Sequence, residues 1–486
     1  MTISFGTDGW RAVISDTFTF HNLRLLSQAI ADAIATEDWH QGNGQGDPVN
    51  PRLMVVGYDT RFLSDRYAAD VARVLAGNGF TVRLTQADAP TPAVSYAIKH
   101  LGAAGGIMIT ASHNAPRYNG LKLKAAYGGS ALPEQCRRVE LYLNDNEARA
   151  RGPNQIDYDQ AASRGLIRRF NPTLAYYDHL RTLVDFDVIA NNPQYVVVDS
   201  MYGSGRGQIK GILQGSGCEV YEVRGEMNPG FGGVHPEPIA SYLGALAGAI
   251  AAGHGHLGLA TDGDGDRIGA MDGRGQFVDP HKIMALLLKY LVEQKGMRGT
   301  VVKTVSTTRM LNRLAAKYGL ACRETPVGFN HIADLMLADD VLIGGEESGG
   351  ITIKGHIPEG DGVLMGLLLL EMVCACETPL HDLVSALLKE VGPAEYARTD
   401  LRLARPVVKA DLVRRLADNA PQAIGGTRVE QVESTDGVKY VMADDSWMLI
   451  RPSGTEPVLR VYVEARDQGM LDALMAHGKR IAESVT

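Results

Sequence analysis

Leu257-Gly-Leu-Ala-Thr-Asp262-Gly-Asp264-Gly-Asp266-Arg267 sets the grammar of this chain: a short apolar strand, LGLA, runs straight into a loop of acids and glycines. In an extended loop, side chains at i, i+2 and i+4 point to one side. Glycines at 263 and 265 let the backbone curl until the three carboxylates converge. Converging anions repel unless a cation lies among them, and oxygen-only ligation suits Mg2+ or Mn2+. An EF-hand reading fails, because its sixth position holds Arg267 where Gly is required and its twelfth holds Gly273 where Glu is required. A solvated acidic turn is the plain alternative, and the strand directly before the loop argues against it.

The same grammar recurs outward from this loop. Leu53–Gly57 leads into YDTR, Gly106–Ile109 into TASHN, Tyr195–Val198 into DSMYGSGRG, Thr300–Val302 into KTVSTTR and Val341–Ile343 into GGEESGG. Between these strands lie helical spacings such as Leu23, Leu26, Ile30 and Ile34, or Ile283, Met284, Leu287, Leu288 and Leu291. Strands alternating with helices predict mainly parallel α/β sheets. Gln41–Pro51 reads as a polar loop, and Arg151–Gly165 as a boundary before a helix over Pro172–Val184. After Pro393 the pattern changes. Val429–Ala443 and Trp447–Val463 alternate like antiparallel strands, with helices predicted at Lys409–Asp418 and Met470–Ser484, so the last stretch reads as a separate α+β module.

A length of 486 residues allows about three domains, give or take one. Lys and Arg total 48 against 56 Asp and Glu, a net charge of −8, which disfavours a broad nucleic-acid surface. Five scattered cysteines without a CxxC pair fit a reducing compartment. The start MTISFGTDGWR lacks the pattern of a secretory signal, and the apolar run Val363–Leu370 is too short to span a bilayer. Together these predict a soluble cytoplasmic protein with no membrane partner.

The remaining motifs have two readings each. Ser112 in Thr110-Ala-Ser-His-Asn114 follows a buried-looking strand, where open α/β sheets place ligand-binding groups. It reads as a nucleophile or as a helix N-cap. Thr110 and Asn114 stand where a hydrolase elbow needs glycines, which disfavours acyl chemistry. Arg451-Pro-Ser453-Gly454-Thr455 offers a guanidinium fork, hydroxyls and turn N–H groups suited to phosphate, or is an ordinary turn. Glu346-Glu347-Ser348 between paired glycines suits sugar hydroxyls, or is a mobile polar loop. Gly203-Ser-Gly-Arg-Gly207 lacks the last glycine of a dinucleotide fingerprint, since Gln208 stands there. Lys122 and Lys124 alternate with Leu121 and Leu123, which by itself predicts an exposed strand, and Cys374 and Cys376 read as core cysteines.

Taken in order, FGTDGWR (5–11), TASHNAPRYNGLKLK (110–124), TDGDGDR (261–267), GGEESGG (344–350) and RPSGTEP (451–457) resemble the α-D-phosphohexomutase family of phosphoglucomutases and phosphomannomutases. The motifs cover nearly the whole chain. The resemblance implies three similar mixed α/β domains and a smaller, mobile C-terminal α+β domain around a central cleft. The expected division is 1–165, 166–275, 276–393 and 394–486.

By position in the motifs, the resemblance makes Ser112 a phosphoserine and a metal ligand, beside Asp262, Asp264 and Asp266 as Mg2+ ligands. Arg267 steadies the phosphoserine or its neighbours, and Arg11 and Lys122 match residues near the transferred phosphoryl group. Glu346 and Ser348 bind sugar hydroxyls, Lys303 contacts substrate, and Arg451, Ser453, Gly454 and Thr455 hold the phosphate that stays. The implied reaction interconverts glucose 1-phosphate and glucose 6-phosphate, with glucose 1,6-bisphosphate as intermediate and activator. A phosphomannomutase or dual-specificity enzyme is the alternative, as is a non-catalytic sugar-phosphate-binding relative, although Ser112 and all three aspartates are retained. A mutase that admits water would act as a phosphatase. Some relatives carry His where this chain has Gly350, which leaves His356 as the candidate replacement. Asn330 and His331 stand where relatives often place Lys, in a loop expected to help choose the sugar.

Overall fold

The computed structural model describes residues 3–6, 9–36, 49–403, 408–452 and 458–484. The chain forms two compact units, Met1–Ile283 with Gly328–His381, and Met284–Val327 with Asp382–Thr486.

The first unit begins with β1 (Trp10–Val13), α1 (Phe20–Thr36), β2 (Asn50–Tyr58), α2 (Ser64–Gly77), β3 (Thr81–Thr85), α3 (Thr91–His100), β4 (Ala103–Ile109), β5 (Tyr118–Ala125), α4 (Pro133–Ala148), α5 (Tyr158–Ser163) and β6 (Ile167–Phe170). Its strands form one sheet in the order β1-β5-β4-β2-β3-β6. β2, β3, β4 and β6 pair in parallel, whereas β5 runs antiparallel to both β4 and β1. Leu23, Leu26 and Ile30 of α1 are buried in the core below this sheet with Val56, Ile107 and Leu121, as their helical spacing predicts. β6 belongs to this sheet, so the first domain's sheet runs past the boundary expected at residue 165. Most of the expected loop at Gln41–Pro51 lies outside the described residues, but Asn50 and Pro51 open β2.

A second sheet follows. α6 (Thr173–Leu183) and α7 (Phe186–Asn191) precede β7 (Tyr195–Asp199), α8 (Gln208–Ile212), β8 (Glu219–Val223), α9 (Gly244–Ala251), β9 (Leu257–Thr261), β10 (Ile268–Asp272) and β11 (Phe277–Val278). The strand order is β11-β10-β9-β7-β8, with β9–β7–β8 parallel and β10 antiparallel to β9. The acidic loop is therefore the turn of the β9–β10 hairpin, at the carboxyl end of a central strand.

The chain continues through α10 (Pro280–Glu293), β12 (Thr300–Thr304), α11 (Met310–Tyr318) and β13 (Cys322–Thr325), β12 and β13 being parallel. It returns to the first unit with α12 (Phe329–Ala338), β14 (Val341–Gly345), the antiparallel β15 (Ile351–Ile353) and α13 (Gly362–Cys376). α13 is apolar on every side because it is buried on every side, from Gly362 to Cys374. No single helix among the described residues is long and apolar enough to cross a membrane; α13 and α14 (Leu380–Val391) pass the length and composition test only as a pair bent by 87°.

The C-terminal module holds β16 (Glu395–Arg402), α15 (Lys409–Asp418), β17 (Ala423–Ile424), β18 (Thr427–Glu433), β19 (Val438–Met442), β20 (Trp447–Pro452), β21 (Val458–Ala465) and α16 (Gln468–Ser484). Its antiparallel sheet runs β16-β21-β20-β19-β18-β17. The two predicted alternating stretches are thus antiparallel pairs, β18 with β19 and β20 with β21. Within the second unit this module is joined to β12–β13 by an apolar patch of Val305, Val441, Trp447, Leu449 and Tyr462. Beside the patch, Glu324 lies 3.0 Å from the Lys303 ammonium and 2.8 Å from that of Lys439. Burial alone would raise the Glu324 carboxyl, but the two ammoniums outweigh it and hold the group down at about 2.

A carboxylate held below its ordinary range stabilises the fold above that range and loses the contribution as pH falls through the depressed value. Glu324→Gln leaves two buried ammoniums without their counter-ion and should cost about 3–5 kcal/mol at pH 7. The gap from wild type should close between about pH 4.5 and 2. Denaturant midpoints at several pH values measure it, and a gap independent of pH would refute the assignment.

Candidate active site

β4 delivers Thr110-Ala-Ser112 at its carboxyl end, and the backbone there turns sharply. Ser112 has φ 51°, a left-handed conformation that costs a non-glycine residue about 1–3 kcal/mol unless its surroundings enforce it. Those surroundings are specific. The Ser112 amide donates to Thr110 Oγ1 at 2.8 Å, and its hydroxyl donates to Asp262 Oδ2 at 3.0 Å. His113 Nδ1 stands 3.4 Å from the same hydroxyl. Gly263 approaches so closely that a Cβ there would lie 2.5 Å from the Ser112 carbonyl oxygen, so only glycine fits.

Asp262, Asp264 and Asp266 converge, with one carboxylate oxygen from each lying within 4.8 Å of the others. Gly265, at φ 76°, makes the curl. Asp262 Oδ1 accepts the Asp266 amide at 3.0 Å, which locks the loop on itself. The Thr91 hydroxyl, in the first turn of α3, donates to Asp264 Oδ2 at 2.6 Å. Lys122 Nζ reaches Asp264 at 3.0 Å and Asp266 at 2.7 Å. Burial, then Asp266 and Asp264, push the Asp262 carboxyl well above its usual range. Burial acts on Asp264 too, but Lys122 and Thr91 overcome it and hold that group low. Asp264 Oδ1 is buried and receives no hydrogen bond. Oxygen donors at this spacing, mutually repelling and with one oxygen unserved, fit a divalent cation.

Positive charge surrounds the serine. Arg11 donates to Asn114 Oδ1 at 2.8 Å. Arg267 is held charged against its own burial by Asp262 and Asp266. Burial first, then Arg267, Arg11, Arg61 and Lys122, keep His113 well below its usual range, so its imidazole is neutral at pH 7. The exposed-strand expectation for Lys122 and Lys124 is therefore corrected: both are buried, because Lys122 meets the acidic loop and Lys124 meets Glu359.

The sugar-motif loop packs on the same hairpin. Arg267 bridges to Gly350, and the Ile268 amide donates to the Gly349 carbonyl at 3.1 Å. Glu346 and Ser348 are half-buried on this turn, where Glu346 Oε1 accepts the Gly328 amide at 2.9 Å. Thus one unit brings together Arg11, Ser112, Lys122, the three aspartates, Arg267, Glu346 and Ser348. Lys303 belongs to the other unit and is fully buried, with Glu324 and the carbonyls of Thr307 and Thr308 at 2.9–3.1 Å around its ammonium. Arg451, also in that unit, lies 2.7 Å from Asp436, which Lys409 holds as well. Ser453, Gly454 and Thr455 lie outside the described residues. Both ring nitrogens of His356 face partners, Asp361 at 3.0 Å and His179 at 2.9 Å. Sequence reasoning missed Thr91 and Arg61, whose signals were the TP after a loop and the YDTR after β2.

Sequence models of four phosphoglucomutase/phosphomannomutase domains match the chain in order: alpha/beta/alpha domain I over residues 2–150, domain II over 174–275, domain III over 279–391, and the C-terminal domain over 407–477. A phosphoglucomutase/phosphomannomutase of Thermococcus kodakarensis is 29% identical over 99% of this chain and 98% of its own. A phosphoglucosamine mutase of Frankia alni is 32% identical over 96% of this chain and 94% of its own. A solved structure from Thermus thermophilus, described as a phosphomannomutase, superposes with TM-score 0.83 at 34% identity, covering 99% of both chains.

A cation bound by the folded triad alone stabilises the protein through linkage, by about 2.7 kcal/mol at a hundredfold excess over its dissociation constant. Mg2+ or Mn2+ should raise the melting temperature by several degrees, and Asp264→Asn should abolish most of the rise. Equal rises in both proteins would show that the triad is not the site.

Proposed function

The chain belongs to the phosphoglucomutase/phosphomannomutase family of intramolecular phosphotransferases, and we propose that it interconverts glucose 1-phosphate and glucose 6-phosphate through a phosphorylated Ser112. The observation that supports this most directly is a buried serine hydroxyl aimed at an acidic triad, with Arg11, Arg61, Lys122 and Arg267 gathered around the neighbouring His113. A phosphoserine carries about −1.5 to −2 charge, and Arg11, Lys122 and Arg267 offset it. Phosphoryl transfer asks for in-line positioning and charge neutralisation more than covalent help. Asp262, Asp264, Asp266 and the phosphorylated Ser112 would hold Mg2+, which would supply further charge neutralisation there.

In this reading the P–O bond to Ser112 Oγ breaks as a bond forms to the sugar's free hydroxyl oxygen, a proton is lost from that hydroxyl and one is gained by Ser112 Oγ, and the product is glucose 1,6-bisphosphate. That species then reverses end for end and returns its other phosphate to Ser112, and added bisphosphate acts as activator. Glu346 and Ser348 hold sugar hydroxyls in either orientation. Arg451, Ser453, Gly454 and Thr455 hold the phosphate that is not transferred. Lys303 is left out of the substrate set because its ammonium is committed to Glu324 and two carbonyls. The proposed domain division keeps breaks near 275 and 393 and moves the first past Phe170. Five cysteines scattered along the chain without a CxxC pair fit a reducing compartment, and a cytoplasmic location is proposed on that ground.

Ser112→Ala should retain the fold and lose several orders of magnitude in kcat, while peptide mapping of active wild type should place one phosphate on Ser112. Near-normal turnover by the alanine variant would refute the carrier.

The sugar is the second question, since the relatives include phosphoglucosamine and phosphomannose enzymes. One hydrogen bond to a C2 substituent is worth about 0.5–1.5 kcal/mol, up to roughly tenfold in specificity. Glucose 1-phosphate should therefore lead, with mannose 1-phosphate a measurable second and glucosamine 1-phosphate poor. kcat/KM for the three, each with its own 1,6-bisphosphate, decides it. The similarity to phosphoglucosamine mutases favours a second reading, in which glucosamine 1-phosphate is the substrate, and a glucosamine preference would replace the glucose reading with it.

A further inference from the structure

Arg61 is the most completely enclosed guanidinium among the described ion pairs, and none of its contacts is to a group assigned above as a ligand for substrate or metal. Its side chain and that of Asp59 are fully buried. Nη2 donates to the carbonyls of Ser112 and Asn114, both at 2.6 Å. Nη1 donates to those of Ala115 and Tyr118, both at 3.0 Å. Nε lies 3.2 Å from Asp59, and the guanidinium stands 4.9 Å from the centre of the Phe231 ring. Asp59 is fixed in turn by the Arg61 amide and the Ser64 hydroxyl, each at 2.9 Å. Four carbonyls of one loop thus converge on one planar fork. Backbone carbonyls seldom point together in this way, and here the convergence coincides with the left-handed turn at Ser112.

We propose that Arg61 is a positioning residue: its guanidinium gathers the carbonyls of residues 112–118 and so holds the Ser112 hydroxyl in its reactive placement. The proposal rests on the reading of Ser112 as phosphoryl carrier. Lysine cannot replace it, because an ammonium is a compact point charge with three donors, whereas the four carbonyls take the Nη donors of a planar fork whose Nε faces Asp59 as an ion pair. The effect falls on the chemical step rather than on sugar binding, since a displacement near 1 Å at a reacting group costs about a hundredfold.

Arg61→Lys keeps the counter-ion of Asp59 and tests the fork alone. The expected result is a folded protein in which kcat falls about a hundredfold while KM stays within roughly threefold. Amide hydrogen exchange in the unliganded variant should quicken over residues 111–118 and stay unchanged across α1 and α13. If Arg61→Lys does not fold, Asp59→Asn/Arg61→Gln removes both buried charges and is read in the same way. Wild-type kcat in either folded variant, or unchanged exchange in the loop, overturns the proposal. Absence of mutase turnover in the wild type would sink the carrier reading alone, since the exchange measurement needs no substrate.

Discussion

Three carboxylates packed into one buried turn would drive that turn open, and the ammonium of Lys122 keeps it closed. It lies between Asp264 and Asp266, nearly without solvent, where the attraction is far stronger than on a surface. Two residues along the same face of β5, Lys124 meets Glu359, just ahead of α13. The Gly362 amide at the start of that helix donates to the Gly265 carbonyl. A single strand thereby links the serine loop, the acidic hairpin and the start of the most deeply buried helix. The geometry of the site is a by-product of how these charges had to be paired.

The chain as a whole is acidic, yet its candidate catalytic serine stands in a positive well. Totals of charge describe solubility and long-range steering; they say nothing about a pocket a few residues wide. Arg11, Arg61, Lys122 and Arg267 come from four separate stretches of sequence, and only folding brings them around His113. Their mutual repulsion is tolerable because the acidic hairpin and Asp59 answer it. In a phosphorylated state, the added negative charge would answer it more completely.

The alternation of strand and helix was legible from apolar spacing alone, and so was the change of architecture after Pro393. The acidic turn was legible because acid–glycine alternation has few other uses. Lys122 and Lys124 show where such reading stops. Alternation with leucine marks a strand with two faces, but it does not say whether the polar face meets water or buried carboxylates. β6 escaped because a four-residue parallel edge strand is too short to carry a period. Arg61 escaped for a different reason: its partners are backbone carbonyls, which leave no trace in residue identity. Lys303 matched a motif position, and only the structure shows its ammonium fully engaged by Glu324 and two carbonyls.

The positive φ of Ser112 has a consequence for what chemistry the loop can ever carry. A β-branched side chain is strongly disfavoured in the left-handed region, so threonine, though it offers the same oxygen nucleophile, would lever the turn out of register with Asp262. Aspartate tolerates the conformation, but its longer, already anionic side chain would sit against the acidic triad. In the proposed reaction the backbone would thus select the nucleophile before any substrate arrives, and a working substitute here would have to keep serine's small hydroxymethyl group.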